Sequence, residues 1–301
     1  MKNLTIIGGS GFIGKSYIDA FNKGLFKKYK LKKINIVCRN PIKLKKNRFL
    51  KLNKINLIKA DISKLKELPN SNHFIYAAEP SDIKKYANKK IIKQYSKAIT
   101  NFCNLLKKNK KSKTLYVSSG SIYGKSSNYK INYKDYSDLK KFSENEILKI
   151  SKLGFKVSIA RCFSFIGPWL PLNQHYAIGN FIRDGFHKKF IYINANKKVY
   201  RSYMYSDDLA IWLTKILLNS NNSCPIYNVG SDKKIEIKKL AKIIAKIFNK
   251  QIKVKKIVMK NKIDKYIPNI SKTRKELSLK LTYNLKKSIL FTINQINEQI
   301  N

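Results

Sequence analysis

The sequence predicts an α/β protein built on a doubly wound parallel sheet, with a smaller C-terminal substrate-binding portion. Short apolar runs alternate with segments of helical period through the first half of the chain. A glycine triplet, Gly8-x-x-Gly11-x-x-Gly14, falls where the first strand gives way to the first helix. The 301 residues, 43% apolar with only 12 Gly and 7 Pro, suffice for one large or two modest globular domains. Strands alternating with helices in this way form parallel β-α-β units, so the sheet is expected to be covered on both faces.

Taken in order, residues 4–7 make a short apolar strand running into Gly8-Gly9-Ser10-Gly11, and residues 12–21 place apolar side chains at helical spacing. Residues 34–38 and 55–60 read as the next two strands, joined through Pro41 and a Lys/Asn-rich loop, and 73–78 as the fourth. Residues 83–108 lack Gly and Pro and carry Tyr95, Ile99, Phe102, Leu105 and Leu106 at helical spacing, which predicts one long helix. A strand at 114–117, a helix at 135–151 and a strand at 157–160 complete this part. After Arg161 the texture changes. Gly167, Pro168, Pro171, Gly179 and Gly185 punctuate an aromatic-rich stretch with no regular alternation before Tyr203. A dinucleotide-binding domain over residues 1–163 and a substrate portion over 164–301 are therefore expected, with a strand at 226–230 returning to the first sheet. Residues 207–218 read as a helix, and 237–248 as a core-facing amphipathic helix with a Lys-rich outer side.

Lys and Arg number 64 against 17 Asp and Glu, a formal charge of +47. Such a balance suggests a nucleic acid or an anionic membrane. Only six of the cations are Arg, however, and the Lys are spread alongside abundant Ile and Asn, so the charge reads as a solvated surface and argues against a nucleic-acid partner. Cys38, Cys103, Cys162 and Cys224 form no C-x-x-C pair and sit mostly in apolar contexts, which fits reduced thiols in a cytoplasm. No stretch approaches the roughly 18 apolar residues of a membrane span, and three scattered His offer no metal cluster.

The glycine triplet has a mechanism. Gly8 permits the tight turn, Gly11 lets the backbone approach a pyrophosphate, and Gly14 lets the helix pack closely on the sheet, with the phosphates at the helix N-terminus. Ser10, Phe12 and Ile13 fill the same turn and join the candidate cofactor residues. The second strand ends in Cys38-Arg39-Asn40 without a carboxylate. An acid there would bind the ribose of NAD and an Arg the 2′-phosphate of NADP, so the cofactor is expected to be NADP or NAD, with NADP slightly favoured. Asp61 and Ile62 follow the third strand, where Asp61 can meet the adenine or cap the next segment.

Tyr136 and Lys140 stand four apart on a predicted helix, hence on one face. A phenol with a pKa of about 10 exchanges protons near neutrality only beside positive charge, which Lys140 and an oxidised nicotinamide would supply. Ser119, at the end of the preceding strand in Ser118-Ser119-Gly-Ser-Ile-Tyr-Gly124, can hydrogen-bond the substrate oxygen.

Together with Ala77-Ala78, Arg161-x-Phe163, Gly167-Pro168, residues 201–210 and Tyr227-Asn-Val-Gly230, these motifs resemble the extended short-chain dehydrogenase/reductases of the nucleotide-sugar epimerase/dehydratase family, nearly end to end. The resemblance implies a Rossmann-like fold and a catalytic set of Ser119, Tyr136 and Lys140, with Ala77 and Ala78 beside the cofactor. It also implies a nucleoside-diphosphate sugar bound by Ser119, Ser121, Ser164, Asn180, Phe181, Arg201 and Lys260. Arg201 would hold the diphosphate. Residues 170–181 would meet the nucleotide base and resemble a branch linked to surface-polysaccharide sugars. Relatives commonly dimerise through the helices at 83–108 and around Tyr136, so a homodimer is expected.

The departures also inform. Dehydratase members carry an acidic pair directly after the catalytic Ser/Thr, where this chain has Gly120 and Ser121, which disfavours water loss. The family's fourth-helix Asn aligns near Lys97, its second phosphate-binding Arg falls at Met259-Lys260, and the loop between Gly124 and Tyr136 is short. The expected function is hydride transfer at sugar C4, as a 4-keto sugar reductase of O-antigen-type biosynthesis, with an NAD-retaining 4-epimerase as the alternative. A non-catalytic Rossmann protein that senses NADP or binds RNA is the rival of another class.

Overall fold

The computed structural model describes residues 1–80, 82–124, 133–254 and 259–300. In chain order, β1 (Asn3–Ile7), α1 (Phe12–Asn22), β2 (Lys33–Cys38), the single turn α2 (Ile42–Lys45), β3 (Ile55–Lys59) and β4 (His73–Tyr76) open the fold. They are followed by α3 (Lys89–Leu106), β5 (Lys113–Ser119), α4 (Tyr133–Lys152) and β6 (Lys156–Cys162). Six of the seven strands of the main sheet belong to this half. Its order is β11-β6-β5-β4-β1-β2-β3, with β11 (Ile226–Val229) added beyond β6, and every pairing is parallel. Central strands are buried on both faces, as their unbroken apolar runs require.

One side of the sheet packs Leu4, Ile6 and Leu115 against Tyr17 of α1 and Trp212 of α6 (Ser206–Leu218). The other packs Ile7, Tyr76 and Tyr116 against Phe102 of α3 and Ile147 of α4. Strand order reverses between β1 and β4, and at such a switch point a crevice opens beyond the carboxyl ends of the strands.

Residues 83–108 are not one helix. A 3-10 turn over Ile83–Ala87 precedes α3, and the break falls at Asn88, which is extended (φ −93°, ψ 107°) and accepts the Lys90 N–H at 2.9 Å through its side chain. An Asn side chain competes for backbone donors and so favours a cap over a helix interior.

The stretch after Arg161, without a readable period, folds into β7 (Phe165–Ile166), α5 (Ala177–His187), β8 (Phe190–Ile193), β9 (Lys197–Arg201) and β10 (Met204–Tyr205). The chain closes with β12 (Ile235–Glu236), α7 (Ile237–Ile247), β13 (Gln251–Val254), β14 (Met259–Tyr266), α8 (Ser271–Leu277) and α9 (Leu285–Ile300). Here β9 is flanked by β12 and β14, β8 pairs with β13, and β7 with β10. A separate core of Phe181, Ile182, Ile191, Leu240, Ile244 and Ile289 lies among α5, α7 and α9. The two glycines of α5 are required by contact: a Cβ on Gly179 would lie 2.7 Å from the Pro171 carbonyl, and one on Gly185 within 2.5 Å of the Phe248 ring. Among the described residues, no helix is long and apolar enough to cross a membrane, and no three His, Cys, Asp or Glu side chains group as a metal site.

Candidate active site

The crevice begins at the turn after β1. Gly8 has φ +82°, and a Cβ there would lie 2.3 Å from the Ala78 backbone, so both conformation and space demand glycine. A Cβ on Gly14 would meet the Gly9 carbonyl at 1.9 Å, so the helix sits tightly on the turn. Gly11, the residue preceding α1, faces open space. An open backbone at a helix N-terminus beside this turn fits a pyrophosphate. A crevice of about 110 Å³ leads away from it, bordered by Gly8, Ser10, Arg39, Asp61, Ile62 and Ala78. Ala77 continues the β1–β4 pairing through a 2.8 Å bond to the Ile7 carbonyl, and Ile13 is turned into the core.

Gln94 and Tyr95 of α3 also border this crevice; helical spacing marks Tyr95 as a packing residue, and nothing in the sequence ties either to the crevice. Arg39 donates to the Tyr95 hydroxyl at 2.8 Å and stands over its ring, while Gln94 donates to Asp61 at 3.3 Å. Asp61 accepts the Ser63 N–H at 2.9 Å, capping the turn that follows, and borders the crevice. Burial alone would raise its carboxyl, but the Ser63 hydrogen bonds and Arg39 outweigh it and hold it below the ordinary value.

A larger cavity of about 520 Å³ opens between the two halves. It brings together Phe12, Ser119, Ser121, Tyr136, Ser164, Asn180, Phe181 and Arg201. The Ser119 hydroxyl accepts the Ser121 N–H at 3.2 Å, and Tyr136 and Tyr266 line the same cavity. Ser121 leaves its own hydroxyl buried without a partner among the described residues. Phe12 stacks on Phe165 across the boundary, their rings 6.3 Å apart. A Cβ on Gly120 would lie 2.5 Å from the Phe163 ring, so a larger side chain at that position would displace the ring. The Lys260 side chain and the loop at 125–132 lie outside the described residues.

Lys140 stands 5.8 Å from the Tyr136 ring centroid and has other partners. Its ammonium donates to the Val117 carbonyl at 2.9 Å and pairs with Glu79 at 3.0 Å, both side chains being buried. Burial, first, and the Glu79 carboxylate hold the Tyr136 phenol above the ordinary tyrosine value, against the Ser119 hydrogen bond. The lowering expected from Lys140 is therefore offset by a counter-ion. Tyr86 packs edge-on against Tyr136, with ring centroids 4.9 Å apart.

At the opposite side of the cavity Arg201 bonds Asp264 through both terminal nitrogens, at 3.0 and 3.3 Å, and Lys197 reaches the same carboxylate at 3.0 Å. Burial would raise the Asp264 carboxyl, but Arg201 and then Lys197 hold it below the usual range. The sequence pattern does not point to Asp264, Tyr266 or Tyr86. Glu79 alone carried a signal, as an acid directly after Ala77-Ala78 at the carboxyl edge of a parallel sheet in a very basic chain.

Comparison with solved structures finds the same fold throughout. The protein MoeE5 in complex with UDP-glucose and NAD is 14% identical, with a TM-score of 0.81 over 99% of this chain and 100% of that one. UDP-glucose 4-epimerase from Thermotoga maritima with UDP-glucose is 16% identical, with a TM-score of 0.79 over 99% and 100%. A dTDP-glucose 4,6-dehydratase from Bacillus anthracis in complex with NAD is 17% identical, with a TM-score of 0.79 over 99% and 93%. No curated protein sequence matches. The family model described as "NAD dependent epimerase/dehydratase family" matches residues 4–230. From the glycine turn through Tyr136 and Lys140 to the strand that closes the sheet, the chain belongs to the NAD-dependent epimerase/dehydratase family and is an enzyme of that family.

Proposed function

We propose that this enzyme acts on a nucleoside-diphosphate sugar, exchanging a hydride at C4, and that it is an NADPH-dependent 4-keto sugar reductase. The observation that carries the proposal is the convergence of Ser119 and Tyr136 in one cavity that also reaches Arg201. The residues from Gly8 to Gly14, with Asp61, Ile62, Ala77 and Ala78, would hold the cofactor, and Arg39 beside the crevice suits a 2′-phosphate. When bound, the nicotinamide supplies the hydride.

In reduction Tyr136 delivers a proton to the sugar oxygen as the carbonyl becomes a hydroxyl. Ser119 hydrogen-bonds that oxygen and orients it, and Lys140 holds positive charge behind the phenol. Ser121 offers a second hydroxyl to the sugar, Ser164, Asn180 and Phe181 line the approach of the nucleotide, and Arg201 meets the diphosphate. With Gly120 pressed under Phe163 and Ser121 after it, there is no acid pair to carry water loss.

The same proposal divides the chain at about residue 163 and makes the enzyme a cytoplasmic homodimer through α3 and α4, serving surface-polysaccharide sugars. Its test is mass spectrometry of the cofactor released from denatured protein, with turnover of UDP- and dTDP-linked hexoses and their 4-keto derivatives followed in parallel. An empty protein that consumes NADPH on a 4-keto sugar supports the reductase. Retained NAD with no net consumption would replace it with a 4-epimerase.

A further inference from the structure

Glu79 leaves the end of β4 at the carboxyl edge of the sheet, and its side chain is 9% exposed. One carboxylate oxygen accepts the Tyr116 hydroxyl at 2.7 Å, and the other lies 3.0 Å from Lys140 Nζ. Lys140 in turn donates to the Val117 carbonyl at 2.9 Å. A buried carboxylate is tolerated when it is both paired and hydrogen-bonded, and here both conditions are met. Glu79 also borders the smaller crevice, while Tyr136 lines the larger cavity.

We propose that Glu79 is a positioning residue for the catalytic pair: it fixes Lys140 in place as a cation and, through its own charge, sets the pH at which Tyr136 exchanges its proton. This rests on Tyr136 and Lys140 being the acid/base pair proposed above. Around Glu79 stand Lys140 of α4, Tyr116 of β5, Tyr76 of β4, Tyr95 of α3 and Tyr86 of the 3-10 turn. Around Tyr136 stand Ser119, Cys162, Tyr86, Tyr176 before α5 and Tyr266 of β14, with Lys140 on its own helix. Glu79 and Lys140 are the charged members of this set; the others are phenols, a thiol and a hydroxyl. A negative charge here favours the neutral phenol and a positive one the phenolate.

The test needs no substrate. Protein labelled with 13Cζ-tyrosine is titrated by NMR from pH 7 to the alkaline limit of the folded protein, and the Tyr136 resonance is identified by its loss in Tyr136→Phe. Glu79→Gln keeps the shape and removes the charge, so the Tyr136 ionisation constant rises at least about threefold and the curve moves to lower pH. Lys140→Met leaves Glu79 unopposed and moves the curve to higher pH. An unchanged curve in Glu79→Gln, or a shift to lower pH in Lys140→Met, overturns the proposal. A Tyr136→Phe enzyme with full turnover would instead overturn the proposed function, so failure of the one is distinguishable from failure of the other.

Discussion

The half that carries the glycine turn and the half that carries Arg201 build their candidate sites by different means. The turn at Gly8–Gly14 works through backbone geometry: a positive φ at Gly8, a Cβ-free contact at Gly14 and an open helix end at Gly11. The Arg201 end of the larger cavity works through side-chain pairs between neighbouring strands far apart in sequence, with Arg201 of β9 held by Asp264 of β14. Backbone devices tolerate almost no substitution, whereas ion-pair devices can be altered piecewise at graded cost. Tyr136 and Ser119 lie at the junction of the two, so losses on either side should converge there.

The steepest loss is expected at that junction. Tyr136→Phe should lower turnover by about 10²–10⁴-fold, the usual worth of a positioned proton donor, with the fold intact by circular dichroism. On the cofactor side, Gly14→Val should abolish measurable dinucleotide binding and lower the melting temperature, because its Cβ would fall against the Gly9 carbonyl; isothermal titration with NADPH reads the first and calorimetry the second. If Gly14→Val bound the dinucleotide normally, the contrast between backbone and side-chain construction would collapse.

At the Arg201 end, Arg201→Ala leaves the buried Asp264 carboxylate with Lys197 as its remaining ion-pair partner among the described residues. A destabilisation of about 1–3 kcal/mol should follow, measured by denaturant unfolding, together with weaker UDP binding. Asp264 has a lowered folded-state pKa, so the stability it contributes is present above its unfolded value of about 4 and is lost as pH falls through the lowered value. Asp264→Asn should remove that acid limb from the stability profile.

A slighter change belongs to His73, at the start of β4. Burial, the N-terminal amine and Lys113 push its imidazole down to about 4. The neutral form is the folded one, so its contribution is complete above about pH 6.5 and is lost as pH falls toward 4. His73→Leu should flatten melting temperature against pH in that window and leave cofactor binding unchanged.

The same contrast explains which parts of the molecule are legible in the sequence. The parallel strands announce themselves because burial on both faces demands unbroken apolar runs, and the glycine turn because few residues fit its geometry. The expectation of one helix over 83–108 fails on one residue's role: Asn88 serves as a cap, which helical periodicity on either side conceals. Residues 165–205 are illegible because their strands of two to five residues are too short to show a period and are held by partners elsewhere in the chain. Asp264 and Tyr266 lie beyond reach for the same reason, since nothing local links them to Arg201 or Ser119.

Everything proposed for Tyr136 depends on the turn at Gly8–Gly14 holding a nicotinamide dinucleotide. Titration of the purified protein with NADPH and with NADH, followed through the reduced-nicotinamide fluorescence, tests this most directly. Saturable binding is expected, tighter for NADPH, with the preference reduced in Arg39→Ala. Absence of binding by either dinucleotide to folded protein would contradict it.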